Sequence, residues 1–257
     1  MTLLVVDHLL KRFGGVHAVD DVSFSLAAGE LLALIGPNGA GKSTCFNILN
    51  GQLRPDSGAV LLEGRNIVGM KPREIWRRGV GRTFQVAATF GSMTVVENVQ
   101  MALLSHESRL YRMWGAASAH ARDKAMAILA RVGMAEQADR PCGVLAYGDV
   151  KRVELAIALA NEPKLLLMDE PTAGMAPRER NALMALTHDL VKERNIGVLF
   201  TEHSMDVVFG YADRIIVLAR GKLIAEGKGD DIRNHPRVKE VYFGAGTTVE
   251  AATAGRA

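Results

Sequence analysis

The chain has 257 residues, a formal net charge of +3, and 48% hydrophobic against 23% charged side chains. That balance excludes a disordered chain and allows a sizeable core, as one α/β domain or as a core with a small subdomain. No apolar run approaches the roughly 20 residues that span a bilayer, and the charge is too small to argue for a nucleic-acid partner.

No basic region followed by a long apolar segment opens the chain, so a secretory leader is not expected. Cys45 and Cys142 form neither a paired framework nor a CxxC half-site, and read as reduced thiols of a cytoplasmic protein. Arg77, Arg78 and Arg82 make the densest basic patch. Without interleaved aromatics they read as solvent-facing or partner-facing side chains.

In chain order, residues 2–6 (TLLVV) and 22–26 (VSFSL) predict short strands, and Ala28-Gly29-Glu30 turns the chain. Residues 31–35 (LLALI) are continuously apolar, as a strand buried on both faces must be. A glycine-rich loop comes next, then a helix from Ser43 to about Leu53 and a strand from Val60 to Glu63. From about Ser92 to Ala138 the composition shifts to Ala, Leu, Met, Glu and Arg, all good helix formers. Ala125, Ile128, Leu129 and Val132 share one face there, which predicts a second, helical lobe closed by Gly133, Pro141 and Gly143. Strands return at Leu165–Met168, 198–201 and 215–218. Between the first two, Pro177 opens a helix to about Glu193 with Leu183, Leu186, Leu190 and Val191 as its buried stripe. From Gly246 onward the Ala/Gly/Thr-rich tail is expected to be disordered.

The string Gly36-Pro37-Asn38-Gly39-Ala40-Gly41-Lys42-Ser43-Thr44 fits G-x-x-x-x-G-K-[ST] between a predicted buried strand and a predicted helix. Small residues let the backbone wrap a phosphate, so that successive N–H groups and the helix N-terminus face negative charge. Lys42 then reaches the β- and γ-phosphates, and the Ser43 hydroxyl serves Mg2+.

The strand 165–168 delivers Asp169 and Glu170 at its C-terminal end, where open α/β sheets place ligands. By itself an acidic pair there is a helix cap or a turn. Beside Lys42 in one chain, Asp169 is the Mg2+ ligand and Glu170 the group that polarises the attacking water. His203 follows strand 198–201, either as an imidazole bridging γ-phosphate and water or as a buried or capping histidine. Gln85, where the core gives way to the helical lobe, can sense Mg2+ or water through its amide while its segment touches a partner.

These four elements, in this order, resemble the ATP-binding-cassette ATPases over about residues 2–243. The resemblance makes residues 36–44 the Walker A motif, Gln85 the Q-loop, 165–170 the Walker B strand with its catalytic glutamate, and His203 the switch histidine. It places Phe13 where the family stacks an aromatic on adenine. The family signature, normally Leu-Ser-Gly-Gly-Gln, falls on Leu145-Ala146-Tyr147-Gly148-Asp149 and departs from the pattern. Ala146 lacks the hydroxyl that bonds the γ-phosphate across the dimer, while Leu145, Ala146 and the Gly148 N–H remain as the nucleotide-facing segment. Asp149 either repels phosphate or caps the following helix.

Residues 81–85, 93–99, 145–148, 169–175 and 225–244 look like the larger ATPase subunit of branched-chain amino acid importers. The resemblance implies an α/β fold: a P-loop ATPase core with a mixed sheet, an N-terminal antiparallel β portion and an inserted helical subdomain. The core would be 1–91 and 150–235, the helical subdomain 92–149, and the C-terminal extension 236–257. Implied cofactors are ATP and Mg2+. Implied partners are a second cassette, as homo- or heterodimer, two permease subunits and, indirectly, a solute-binding protein, with no nucleic acid. The place is the cytoplasmic face of the inner membrane. Uptake of urea, amides or aromatic acids, or a soluble cassette ATPase outside transport, are the alternative functions.

Overall fold

A computed structural model describes residues 1–83, 89–106 and 116–243. Gln85 and the tail from Gly246 lie outside the described residues. In chain order the elements are β1 (Thr2–Phe13), β2 (Val16–Ala27), β3 (Leu31–Ile35), α1 (Lys42–Leu49), β4 (Ser57–Leu62), β5 (Arg65–Asn66), α2 (Pro72–Arg77) and β6 (Val80–Thr83). The helices α3 (Val95–His106), α4 (Ala116–Arg131) and α5 (Tyr147–Leu159) follow. The chain then runs through β7 (Leu165–Asp169), α6 (Pro177–Arg194), β8 (Gly197–Thr201), α7 (Met205–Tyr211), β9 (Arg214–Ala219), β10 (Lys222–Gly227), α8 (Gly229–Asn234) and α9 (Pro236–Phe243).

Two sheets result. One is antiparallel, ordered β2-β1-β4-β5. The other is ordered β10-β9-β3-β8-β7-β6, parallel except for the edge strand β10. The continuous apolar runs divide by parity between two cores, because successive side chains on a strand face opposite ways. Leu31, Ala33, Ile35, Leu166, Met168, Val198 and Phe200 pack with Val96, Ala125, Leu129 and Val153 from the helices. Leu32, Leu34, Leu165, Leu167 and Leu199 pack on the other side with Phe46 of α1 and with Leu4 and Phe24 of the hairpin. This gives the expected α/β architecture: a mixed sheet, an antiparallel N-terminal portion and helices inserted between β6 and β7.

The N-terminal strands are longer than expected, 12 residues each. Their polar halves conceal the extension, because pairing continues through register shifts beside two residues at positive φ, His8 (48°) and Asp21 (57°). Those two side chains meet, His8 Nδ1 to Asp21 Oδ1 at 2.6 Å. α1 stops at Leu49, short of the expected Leu53, because Gly51 turns back at φ 76°. β6, β10 and α2 lacked an expectation: each is six residues or fewer, and none carries a long apolar run.

Candidate functional site

The glycine-rich loop leaves the C-terminal end of β3, in the middle of the parallel sheet, and turns directly into α1. Gly39 and Gly41 take φ of 78° and 107°, a region that side chains rarely adopt. Gly41 also passes under β2 so closely that a Cβ there would lie 2.2 Å from the Ala18 carbonyl oxygen. A cleft of about 320 Å³ is lined by Asn38, Gly39, Ala40, Gly41, Lys42, Ser43 and Thr44, together with Phe13, Ala18 and Glu170. Phe13 is 50% exposed at the hairpin tip, with the Lys11 ammonium 5.6 Å from its ring centre. It is thus a surface ring beside the glycine-rich loop.

Lys42 Nζ donates to the carbonyls of Gly36 at 2.6 Å and Pro37 at 3.2 Å, so the side chain folds over its own loop. Burial pushes its pKa below the usual lysine value, against the pull of Glu170 and Asp169. Asp169 ends β7 and accepts from the Thr201 hydroxyl at 2.7 Å and from Arg82 at 3.5 Å. Glu170 follows at φ 49°, a left-handed conformation that a non-glycine residue keeps only when its surroundings hold it there. The hold is the Glu170 N–H, which donates to both the carbonyl and the hydroxyl of Thr201 at 3.1 Å. Glu170 Oε1 meets His203 Nε2 at 2.9 Å, and the histidine side chain is 54% exposed. His203 is therefore neither buried nor a cap, since Ser204 occupies the N-cap of α7.

Three contributors were not assigned site roles from sequence. Arg82 is not a solvent-facing member of a basic patch. Its side chain is largely buried, and it bonds Asn47 Oδ1 and Gln52 Oε1 at 3.0 Å each besides reaching Asp169. Thr201 ties the two acids together. Glu202, 4% exposed, accepts from the Thr172 N–H at 2.8 Å, the Thr172 hydroxyl at 2.6 Å and the His203 N–H at 3.2 Å. It thereby clasps the turn after Glu170 to the histidine loop. Only the adjacency of Thr201 and Glu202 to His203 signalled them in sequence. Replacing Glu202 by Ala strands these buried donors and is expected to cost about 2–4 kcal/mol, read as a lower midpoint in chemical denaturation.

The signature segment lies on the helical side. Leu145 is half-buried, Ala146 is the exposed N-cap of α5 without a side-chain capping bond, and Gly148 is buried against Glu179. Asp149 does not cap the helix. It stands in the first turn, where the helix dipole favours an acid, and accepts from Gln137 Nε2 at 3.1 Å. Tyr147 is exposed, with Lys151 Nζ 5.5 Å from its ring centre.

A glycine-walled loop after a central strand, a lysine at its end, and a strand-borne acid pair with a histidine define a P-loop nucleotide hydrolase of the cassette type. The family model described as ABC transporter matches residues 19–173, more than half of the chain, and the chain belongs to this family as an ATP-binding, ATP-hydrolysing subunit. A second model, described as branched-chain amino acid ATP-binding cassette transporter, matches residues 222–247. The chain is 40% identical over 251 residues to the high-affinity branched-chain amino acid transport ATP-binding protein LivG of Salmonella typhimurium, across 94% of this chain and 98% of that protein. It is 38% identical over 249 residues to BraF of Pseudomonas aeruginosa, described in the same words, with the same two coverages. Among solved structures, the ADP conformation of MJ1267, an ATP-binding cassette of an ABC transporter, superposes with a TM-score of 0.85. Its identity is 34%, over 95% of this chain and 99% of that one. The chain is a member of the LivG/BraF group within the ATP-binding-cassette family.

Proposed function

We propose that this subunit powers the import of branched-chain amino acids, as one of two cassettes stacked head to tail beneath two permease subunits at the cytoplasmic face of the plasma membrane. A solute-binding protein delivers the cargo. What supports the solute is the likeness to LivG and BraF together with the match over residues 222–247. The reading gives the pore to other chains; among the described residues no helix is long and apolar enough to cross a membrane.

The observation that carries the chemistry is the 2.9 Å contact of Glu170 with His203, beside a phosphate-loop cleft that Glu170 itself lines. Phe13 stacks on adenine, the amides of Gly36 and Asn38–Thr44 take the phosphates, and Lys42 swings from its own loop carbonyls to the β- and γ-phosphates. Glu170 polarises the attacking water while His203 holds it against the γ-phosphate. Ser43, Asp169 and Gln85 would hold Mg2+, which would neutralise phosphate charge there. One carboxylate and one hydroxyl suit that ion, which keeps several water and phosphate ligands. The Thr201 hydroxyl holds one Asp169 oxygen at 2.7 Å, and the other, 3.5 Å from Arg82, would remain for Mg2+.

The cleft of about 320 Å³ is smaller than clefts of about 610 and 620 Å³ elsewhere on the surface. In the split-site reading the other wall of this cleft, Leu145, Ala146 and Gly148, belongs to a second cassette. Residues 1–91 with 150–235 form the ATP-binding core in this scheme, 92–149 the lobe that carries the signature, and 236–257 the C-terminal extension.

Two measurements test the reading. ATPase activity per mole is expected to fall with dilution and to vanish below the dimerisation range. Strictly first-order activity from monomers would refute the split site. In proteoliposomes with the two permeases and the binding protein, leucine is expected to stimulate ATP hydrolysis and to accumulate. Stimulation by urea or an aromatic acid instead would reassign the cargo.

A further inference from the structure

Arg82 meets Asp169 because of strand register. β6 runs parallel to β7, with Arg82 opposite Leu167 and Thr83 opposite Met168. Residues opposite one another share a face of the sheet, and Asp169 lies on that face two positions beyond Leu167. On the same face Leu165 and Leu167 pack with Phe46 of α1. The Arg82 side chain therefore enters the space between α1 and the end of β7. It is 13% exposed there, against 14% for the Asp169 side chain.

Two neutral acceptors hold the guanidinium in place. Its Nη1 donates to Asn47 Oδ1 of α1 and to Gln52 Oε1 in the turn after α1, at 3.0 Å each. Its Nη2 stands 3.5 Å from Asp169 Oδ2. The other Asp169 oxygen accepts from the Thr201 hydroxyl at 2.7 Å. Oδ2 is thus the oxygen open to a cation, and a fixed positive charge stands beside it. Arginine keeps that charge at any physiological pH, and a mostly buried one is little screened by salt. Neither Asn47 nor Gln52 carries a charge that would cancel it. A divalent ion at Oδ2 binds against this field.

We propose that Arg82 is a positioning residue that sets metal affinity: tethered by Asn47 and Gln52, its guanidinium competes with Mg2+ for Asp169 Oδ2 and weakens the hold of the site on the ion. This inference rests on the reading of Asp169 as a Mg2+ ligand. A site that turns over must release its product together with the ion, and a weakened hold serves that release. The role also differs in sign from that of a structural prop. Removing a prop loosens the metal, whereas removing a competitor tightens it.

The test titrates Mn2+ into the full-length chain with saturating ADP and reads free Mn2+ by its electron paramagnetic resonance signal, against a protein-free MnADP titration. Circular dichroism reports whether each variant is folded. Arg82→Gln removes the charge and is expected to tighten Mn2+ binding about five-fold. Arg82→Lys keeps the charge and is expected to stay within about two-fold of the parent. Gln52→Glu, at an exposed position, leaves Arg82 in place and offers Nη1 a carboxylate. It is expected to tighten Mn2+ binding about two-fold, and it carries the test if Arg82→Gln does not fold. Unchanged or weaker Mn2+ binding in folded Arg82→Gln would overturn the proposal, as would the same result in Gln52→Glu where that variant carries the test. Equal tightening in Arg82→Lys would overturn it too, since the charge would then not be the cause. Asp169→Asn is the control for the underlying reading and is expected to weaken Mn2+ binding about ten-fold or more. If it leaves Mn2+ affinity intact, the assignment of Asp169 as a ligand fails; if it weakens binding while Arg82→Gln does not tighten it, the role of Arg82 fails alone.

Discussion

Replacing Glu170 by Gln is expected to lower phosphate release about 10³-fold while ATP still binds and the cassettes lock into an ATP-bound dimer. The size follows from the loss of the proposed general base, which is worth about 10²–10⁴. The variant isolates chemistry because nothing else needs to change. Gln matches Glu in size, and its amide can still meet His203 at the present 2.9 Å contact. The backbone bonds to Thr201 that hold the left-handed conformation at Glu170 involve no side-chain atom of residue 170. Lys42 and the glycine loop are untouched, so nucleotide affinity stays within a few-fold of wild type. Phosphate release and size-exclusion elution with and without MgATP measure the two halves of the expectation. Turnover within ten-fold of the parent would move the water-polarising role to another residue, with His203 next in reach.

The core of the fold was legible because its strands are short, continuous apolar runs that permit one placement, buried on both faces. Residues 31–35, 165–168, 198–201 and 215–218 all became central strands. The long hairpin was only half legible. Its outer residues alternate poorly around His8 and Asp21, and the pairing that keeps them in the sheet is set by register and not by local pattern. The site divides in the same way. Lys42, Asp169 and Glu170 announce themselves by spacing, whereas the groups that hold them, Arg82, Thr201 and Glu202, come together only through the order of strands. β6 lies beside β7, and β7 beside β8. That adjacency brings Arg82 to Asp169 across 87 residues and Thr201 to it across 32. Asp149 shows the converse: its charge beside a phosphate-facing segment looked hazardous or cap-like, and a bond from Gln137 gives it a different place.

The second large effect belongs to a glycine. Gly39 and Gly41 both sit at positive φ in the same loop, yet their surroundings differ. Around Gly39 no heavy atom lies within 4 Å of an added Cβ, whereas at Gly41 that Cβ would meet the Ala18 oxygen at 2.2 Å. Gly39→Ala should therefore cost only the left-handed strain, about 1–2 kcal/mol. Gly41→Ala adds an overlap that only backbone movement can relieve, a further 1–3 kcal/mol or so. The movement cannot stay local, because Gly41 is the N-cap of α1 and its N-terminal neighbour Ala40 is bonded to Gly221, which is bonded to β2 again at Asp20. Any shift that frees the Cβ displaces the amides proposed to receive phosphate. Gly41→Ala is thus expected to weaken ATP binding by about 100-fold or more and to lower the denaturation midpoint clearly, with Gly39→Ala losing about ten-fold at most. Nucleotide titration beside urea denaturation of both variants separates the cases. Equal losses would mean that left-handed strain alone governs the loop; full affinity in Gly41→Ala would mean that phosphate binding does not depend on the packing of this loop against β2.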